Sequence, residues 1–398
     1  MNIFVINSGS SSIKYQLIEM PSETVVCSGI VERIGKEDAA ITHKTFKDKK
    51  EAQKKLVMKI ADHEEGLKEV VSLLTGQQIG VIKDPSEIHV VGHRVVHGGE
   101  SFAATTFITH EVKEKIKDLF PLASLHNPPN YLGIEVAEKL FPNATQIAVF
   151  DTAFHQTLPP KAYRYAIPTK FYKEDGIRVY GFHGTSHKYV SEKAIEYLQK
   201  ENSKIITIHL GNGCSMTAVK DGKSVDTSMG FGPMNGLIMG TRAGDIDQSV
   251  IFYLVNQLGY EVEQVKDMLN YSSGMAGLTG SNDMRDIIKK IENGDKQAIL
   301  AYNMYAYRIR KYIGAYTAVL NGLDAIIFTG GVGENDKMMR SLCTSGLDYL
   351  GIQLDEEKNN QRSKELREIN TKDSQVKILV IPTNEELEIA LQCYRLLT

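Results

Sequence analysis

The chain has 398 residues, 42% of them apolar and 24% charged, an ordinary composition for a globular protein able to bury a core without staples. At roughly 100–200 residues per domain, this length corresponds to two or three domains. Lys and Arg number 46 against 49 Asp and Glu, a net charge of −3, so nucleic-acid and membrane-surface roles lack their electrostatic footprint.

Residues 2–6 (NIFVI) are a short apolar, β-branched run. Small residues follow from Ser8 to Ser12, and strand patterns continue through 13–18 and 24–30 (TVVCSGI). The order is strand, tight turn, strand, turn, strand. Residues 46–55 are a charge-dense stretch that reads as solvated surface. Val90, Val91, Val95 and Val96 favour a strand, and the apolar run 147–150 (IAVF) ends at Asp151.

The first pattern recurs about half a chain later. Residues 204–210 (KIITIHL) predict a strand, Gly211-Asn212-Gly213 a turn, 215–219 a strand, Asp221-Gly222 a hairpin turn, and 224–228 its return. Two copies of one unit suggest a duplicated domain, although any mixed α/β chain can show two hairpins. Asp245 with Gln248 three residues on predicts a helix start, followed by Val250, Ile251, Leu254, Val255 and Leu258 at helical spacing. Ile299, Tyr302, Ala306, Ile309, Ile313, Tyr316 and Leu320 predict one long buried helical face, ended by Asn321-Gly322. Residues 324–329 (DAIIFT) then form a buried strand running into a turn at Gly330–Gly331–Val332–Gly333. Residues 377–381 are a last strand, and Thr383-Asn384-Glu385-Glu386 caps a final helix over 387–397. Strands alternating with helices give an α/β class with sheets covered by helices.

Cys27, Cys214, Cys343 and Cys393 form no CxxC pair, and no basic segment precedes the first apolar run. The most apolar long window, 315–333, contains Asn321, Gly322 and Asp324. These features predict a cytoplasmic protein with reduced thiols, no signal peptide and no membrane span.

Four glycine- or serine-rich turns each follow an apolar strand, at 7–12, 210–214, 229–236 and 330–335. Small residues let backbone N–H groups approach phosphate oxygens, and strand ends are where α/β proteins bind ligands. Each turn alone is equally a simple chain reversal. None matches a P-loop or a GxGxxG fingerprint. The densest, Asn7-Ser8-Gly9-Ser10-Ser11-Ser12-Ile13-Lys14, could hold terminal phosphates, or be a surface turn with a solvated lysine.

Two HxxxH pairs, His93/His97 and His183/His187, lack the helix and glutamate of HExxH, so metal binding by either is not expected. Arg94 lies between valines and must be paired or face a ligand. Arg242 sits in a second glycine-flanked segment, Met239-Gly240-Thr241-Arg242-Ala243-Gly244-Asp245. Each arginine alone reads as a structural ion pair; together they suit an anionic substrate, because guanidinium forks match carboxylate and phosphate oxygens. Asp151 at a strand end can ligate magnesium or bond a neighbouring turn. Glu385 in a first helical turn can simply complement the helix end.

In this order, VINSGSSSIK (5–14), GHRVVHGGE (92–100), LHNPPN (125–130), FDTAFH (150–155), YGFHGTSH (180–187), HLGNGCS (209–215), MGTRAGD (239–245), TGGVGEN (329–335) and TNEE (383–386) resemble the acetate kinase (acetokinase) family. That family lies within the larger group of acetate and sugar kinase, chaperone and actin folds, and the resemblance spans essentially the whole chain. It implies two duplicated actin-like (ribonuclease H-like) domains of mixed sheets covered by helices, with the active-site cleft between them. The expected domains are 1–151, completed by the last helix 385–398, and 152–384, carrying the nucleotide site and the dimer interface. The implied partners are acetate or acetyl phosphate and ATP or ADP, with Mg²⁺, or Mn²⁺ in its place, and a second copy of the chain. The long helix 299–320 is a candidate contributor to that dimer.

Residue by residue, the resemblance implies that Asn7, Ser10, Ser12 and Lys14 lie in the first phosphate hairpin. Arg94 and Arg242 clamp the carboxylate and the moving phosphoryl group, while His183 and Asn212 donate to its oxygens. Asp151 and Glu385 hold or orient Mg²⁺, with Asn7 beside Glu385 as a metal residue. Val96, Leu125, Phe182 and Pro233 line the methyl pocket. The nucleotide meets His209, Leu210, Gly211, Asn212 and Gly213, together with Gly330, Gly331, Val332, Gly333 and Asn335. A carboxylate substrate, with a pKa of about 4–5, is ionised at neutral pH and needs no general base, so direct in-line transfer is expected. The open alternatives are a propionate or butyrate kinase, differing in pocket volume, and a non-catalytic actin-like nucleotide-binding protein. The latter would have no need of both arginines.

Overall fold

The computed structural model describes residues 1–47 and 50–398, so Asp48 and Lys49 of the charged stretch 46–55 lie outside the described residues. The chain divides into two compact units, Met1–Phe154 with Asn384–Thr398, and His155–Thr383. The divisions differ by a few residues from 151/152 and 384/385 for local reasons. His155 is held within the second unit by the Phe182 carbonyl and Ser224. Asn384 caps the last helix, its side chain accepting from the Leu387 N–H at 3.0 Å, and so stays with it.

The first unit is built on an eight-stranded sheet of β1 (Asn2–Ser8), β2 (Ser12–Glu19), β3 (Thr24–Glu32), β4 (Ala39–Lys47), β5 (Lys50–Met58), β6 (Val90–Val95), β7 (Thr106–Phe107) and β8 (Thr145–Phe150). Their order is β5-β4-β3-β2-β1-β6-β8-β7. β1 runs parallel to β6, and β6 to β8, while β1 to β5 are antiparallel neighbours. Successive strand residues face opposite sides of a sheet, and β6 uses both. Val91 packs into a core with Phe4, Leu67, Val136, Ala137 and Phe141, supplied in part by the helices His63–Thr75 and Asn127–Leu140. At Gly92 an added Cβ would come within 2.9 Å of Cys393 Sγ and Ile389 Cγ2, so the final helix Glu385–Leu397 lies directly against the other face.

The second unit holds β9 (Lys204–Leu210), β10 (Cys214–Lys220), β11 (Lys223–Thr227), β12 (Ala325–Thr329), β13 (Arg367–Glu368) and β14 (Lys377–Val380), in the order β11-β10-β9-β12-β14-β13. β9 pairs antiparallel with β10 and parallel with β12, which is parallel to β14. The inner order β3-β2-β1-β6-β8 of the first unit is thus repeated as β11-β10-β9-β12-β14, the duplicated α/β arrangement. Asp221 and Gly222 both adopt left-handed φ, 52° and 74°, the geometry that matches strand twist in a two-residue hairpin.

The long helix Lys296–Leu320 begins at Asp295, whose side chain accepts from the Gln297 and Ala298 N–H groups, and ends at left-handed Asn321. It buries Tyr302, Ala306, Ile309, Ile313, Tyr316 and Leu320; Ile299, expected on that face, is 38% exposed. In the first turn the buried position is taken by Ala298.

Two expectations are corrected. The helix after Arg242 spans Gln248–Asn256 and is capped by Asp247, not Asp245. Asp245 is occupied elsewhere, accepting from the Gly236 N–H at 2.7 Å and the Tyr312 hydroxyl at 2.7 Å. None of that helix is buried, and Val250, Phe252 and Tyr253 are 45%, 64% and 59% exposed. The turn at Gly330 is the opening of a short helix, Gly330–Asn335, because Gly330 with φ 77° turns the chain sharply out of β12. No described helix is long and apolar enough to cross a membrane.

Candidate functional site

In the first unit the parallel strands bring three polar side chains to one end. Register pairs Ile6 with His93 and Arg94 with Val149, so Asn7, Arg94 and Asp151 follow one another across β1, β6 and β8. Arg94 Nη1 donates to Asn7 Oδ1 at 3.3 Å, its Nη2 donates to Asp151 Oδ2, and its Nε lies 3.8 Å from Glu385 Oε2. Asn7 also faces Lys14 across the β1–β2 hairpin, whose turn closes through Gly9 N–H to Ser12 O at 2.8 Å, leaving Ser10 exposed at the tip. Lys14 Nζ pairs with Glu386 Oε1 at 2.9 Å.

The charge balance here is tight. Burial opposes the Arg94 charge, and Asp151, Glu385 and Glu386 outweigh it, holding the guanidinium pKa above its usual value. The Glu385 carboxyl is raised to about 7, pushed up chiefly by burial and also by Asp151 and Glu386, against the opposing pull of Arg94 and Lys14. Three carboxylates, Asp151, Glu385 and Glu386, face two cations, Arg94 and Lys14. The Asn7, Asp151 and Glu385 oxygens are hard donors that fit a divalent cation, which would also offset that excess. No group of three or more His, Cys, Asp or Glu among the described residues is placed to hold a metal.

The loop after β6 is pinned from behind. Asn130 Oδ1 accepts from the Val96 N–H at 3.0 Å and its Nδ2 donates to Ser8 O at 2.6 Å. Asn127 makes both bonds to the His97 backbone, and Thr152 Oγ1 accepts from the Gly98 N–H at 2.9 Å. The sequence assigns Asn127 and Asn130 no role; its one signal for them is a pair of amides flanking Pro128-Pro129 at a helix start. Val96 is buried, and Leu125 is about half exposed. In the first HxxxH pair, His93 Nε2 meets Gln146 Oε1 at 2.8 Å, and His97 Nδ1 accepts from the Gly99 N–H.

In the second unit, β9 ends in His209-Leu210 and turns through Gly211–Asn212–Gly213 into β10. His183 begins the helix Gly184–Leu198 in the left-handed region, φ 55°, a strained conformation for a residue with a Cβ. Its ring lies 4.5 Å from that of His209. A Cβ on Gly213 would sit 3.0 Å from His183 Nε2 and 3.8 Å from Arg242 Nη1, and a Cβ on Gly240 would collide with Asn212 Oδ1 at 2.1 Å. Bare backbone is therefore what lets His183, Asn212 and Arg242 converge.

Arg242 donates from Nη1 to Pro233 O at 2.8 Å and to Met239 Sδ at 3.6 Å, and no carboxylate of the described residues pairs with it. Burial lowers its pKa, because the charge has left water without a counter-ion. This is the electrostatic opposite of Arg94. Phe182 is buried and Pro233 half-buried.

The glycine turn after β12 lies beside this site. Register sets Thr329 next to His209, and a Cβ on Gly330 would sit 2.8 Å from Leu210 O. Glu334 Oε1 accepts from the Gly330 and Thr383 N–H groups at 3.0 and 3.1 Å. Arg340, 1% exposed, donates to Gly333 O and Glu334 O, and Asn335 Nδ2 donates to Gly331 O. Ser186 Oγ bridges His209 Nδ1 and Thr383 Oγ1, both at 2.8 Å. Ser186, Glu334 and Thr383 lie inside the sequence motifs, which assign them no role, because Ser186 meets Thr383 across 197 residues and Glu334 meets it across 49; Arg340 lies outside every motif.

The expected residues thus fall into two sets. Asn7, Lys14, Arg94, Asp151 and Glu385 gather in the first unit, and His183, His209, Asn212, Gly213, Arg242 and Gly330 in the second. A family model described as the Acetokinase family matches residues 2–391. An acetate kinase from Flavobacterium johnsoniae is 62% identical over 397 residues, covering 100% of both chains. The crystal structure of Porphyromonas gingivalis acetate kinase is similar with a TM-score of 0.94 at 42% identity, covering 100% of each chain. A propionate kinase from Francisella tularensis is similar with a TM-score of 0.91 at 41% identity, covering 98% of each chain.

Proposed function

Because the chain belongs to the acetokinase family, we propose that its two sets of residues act on one phosphoryl group. The reaction is the reversible, Mg²⁺-dependent transfer between ATP and acetate, giving acetyl phosphate and ADP. The observation that carries the residue assignment is Arg242: a desolvated guanidinium satisfied, among the described residues, by a carbonyl and a thioether is poised for an anion.

Acetate attacks in line as the carboxylate, so no base removes a proton. The enzyme's work is to hold two anions together and stabilise the charge that spreads over the moving phosphoryl group. Arg242 grips that group with its fork, and His183 and Asn212 donate hydrogen bonds to its oxygens. Arg94, fixed in direction by Asp151 and Asn7, orients the acetate carboxylate. Lys14 and the Ser10–Ser12 hairpin meet phosphate oxygens, and the backbone at Gly211–Gly213 and Gly330–Gly333, with Asn335 and His209, receives the nucleotide. Asn7, Asp151 and Glu385 would hold or orient Mg²⁺, which when bound neutralises phosphate charge. Val96, Leu125, Phe182 and Pro233 meet the methyl group.

The test is ATP formation from acetyl phosphate and ADP, followed by kcat/KM for acetate, propionate and butyrate. Acetate should be preferred, and preference for a longer acid would overturn the pocket assignment while leaving the phosphoryl chemistry. The likeness to a propionate kinase at 41% identity favours propionate as the second reading. The protein is a homodimer formed through the second unit, a reading supported by the exposed apolar residues around 250–262 and along the helix Lys296–Leu320. It works in the cytoplasm, a reading supported by its four free cysteines.

A further inference from the structure

A buried chain of hydrogen bonds runs away from His183 into the second unit. His183 Nδ1 meets Ser215 Oγ at 2.9 Å, Ser215 Oγ meets His187 Nε2 at 2.7 Å, and His187 Nδ1 meets Thr207 Oγ1 at 2.7 Å. Ser215, His187 and Thr207 are fully buried. They come from three elements, β10, the helix Gly184–Leu198 and β9, so the alignment is a product of the fold. Nothing in the transfer step itself uses the last three residues.

The chain has a direction. The single proton of the Thr207 hydroxyl has two acceptors, His187 Nδ1 at 2.7 Å and Thr217 O at 3.4 Å. The second distance is outside the normal range for an O–H···O bond, and the first is inside the range for a strong one. The proton therefore goes to His187 Nδ1. Burial keeps His187 neutral, pushing its pKa well below 6.5, and the neighbouring His155 and His209 rings act in the same sense. A neutral ring accepting at Nδ1 carries its proton on Nε2 and donates it to Ser215 Oγ. The Ser215 proton is then directed to His183 Nδ1.

We propose that Thr207, His187 and Ser215 form a directed chain that fixes His183 as the tautomer with its proton on Nε2. A neutral imidazole can then donate to a phosphoryl oxygen without first being protonated. Nε2 and Cε1 form the ring edge turned toward the bare backbone of Gly213, and Arg242 Nη1 lies 3.8 Å from the same Cβ position. The three residues are positioning residues acting through His183, and the idea rests on the reading of His183 as a phosphoryl donor. Tautomer selection by the second ring nitrogen is a general device for placing a histidine's proton.

The direct test is nitrogen NMR of the full-length protein labelled at histidine, at neutral pH. His183 should show a protonated Nε2 and an unprotonated Nδ1; a protonated Nδ1 in the parent protein overturns the proposal, with no variant needed. The second arm is Thr207→Val, which removes the hydroxyl and keeps the shape. It should mix the His183 tautomers and lower kcat roughly tenfold, a fraction of what a whole transition-state donor is worth. KM for ATP and acetate should stay within about twofold, and Thr207→Ser should restore the rate. Unchanged tautomer and unchanged kcat in Thr207→Val would also overturn it. His183→Ala separates the two readings. If that variant turns over normally, the donor role of His183 is wrong; if it is crippled while the parent tautomer is protonated on Nδ1, only the directed chain is wrong.

Discussion

The two arginines show how one side chain takes opposite parts. Arg94 is surrounded by carboxylates, which hold it in place and leave it little free charge. Arg242 has none among the described residues and is desolvated, so its charge is available to an incoming anion. Arg242→Lys keeps the charge and loses the fork. It should cut kcat by at least about tenfold at saturating substrates, and near-normal turnover would remove Arg242 from the transition state. Glu385 sits with excess negative charge, its carboxyl raised to about 7 by burial, so a divalent cation should offset that charge. Glu385→Ala should raise the Mg²⁺ concentration giving half-maximal rate; a Mg²⁺ titration superimposable on the parent's would exclude it as a metal residue. Val96 is a buried wall whose backbone is pinned by Asn130, so trimming it should open space without moving the loop. In Val96→Ala the propionate-to-acetate ratio of kcat/KM should rise, within the roughly 10–200-fold that one methylene commands. Unaltered ratios would mean that the methyl group lies elsewhere.

At the scale of elements, strands carry burdens that appear only across a sheet. Tyr15, Gly29 and His43 lie in one row over β2, β3 and β4. The Tyr15 ring covers Gly29, where a Cβ would come within 2.3 Å, and its hydroxyl bonds His43 Nδ1 at 2.7 Å. Burial, with Lys54 adding to it, lowers the His43 pKa from 6.5 to about 4. In the same unit, burial lowers His93 and His97 to about 4. An unfolded chain takes up protons near pH 6.5 that the folded sheet refuses until about pH 4. Stability is therefore full above pH 6.5 and falls as the pH drops toward 4. Between pH 7.5 and 5 each such histidine should remove roughly 2 kcal/mol at most. Urea unfolding of the parent and of His43→Gln at the two pH values checks this: the variant should lose less stability on acidification, and equal losses would show that His43 does not titrate on unfolding.

For the whole molecule, the unexpected feature is apolar surface. The helix Gln248–Asn256 buries none of its residues, and Phe252, Tyr253, Leu258 and Val262 stand 64%, 59%, 56% and 65% exposed. Leu300 and Tyr307 on the long helix are 52% and 63% exposed. Large exposed apolar patches mark interaction surfaces, and a second copy is the proposed cover. Phe252→Asp combined with Tyr253→Asp should shift the protein from dimer to monomer in light scattering behind size exclusion. A dimer that persists would place the interface elsewhere, and a parent that is monomeric would remove it altogether.

Local chemistry was legible in the amino-acid order. The 204–210 strand, the Asp221-Gly222 hairpin, the Asn321 helix stop and the recurring strand unit follow from periodicity and turn residues, which act over a few positions. The choice of Asp247 over Asp245 as a cap was not, because Asp245 is drawn off by Tyr312, 67 residues away. Equally illegible were the tie of Arg94 to Asp151 across 57 residues and to Asn7 across 87. The pinning of Val96 by Asn130 and the ordered line from Thr207 to His183 belong to the same class. Residue type and spacing state which groups can donate, accept or carry charge. Only the folded sheets, by setting register and removing water, decide which of them meet and in which protonation state they do so.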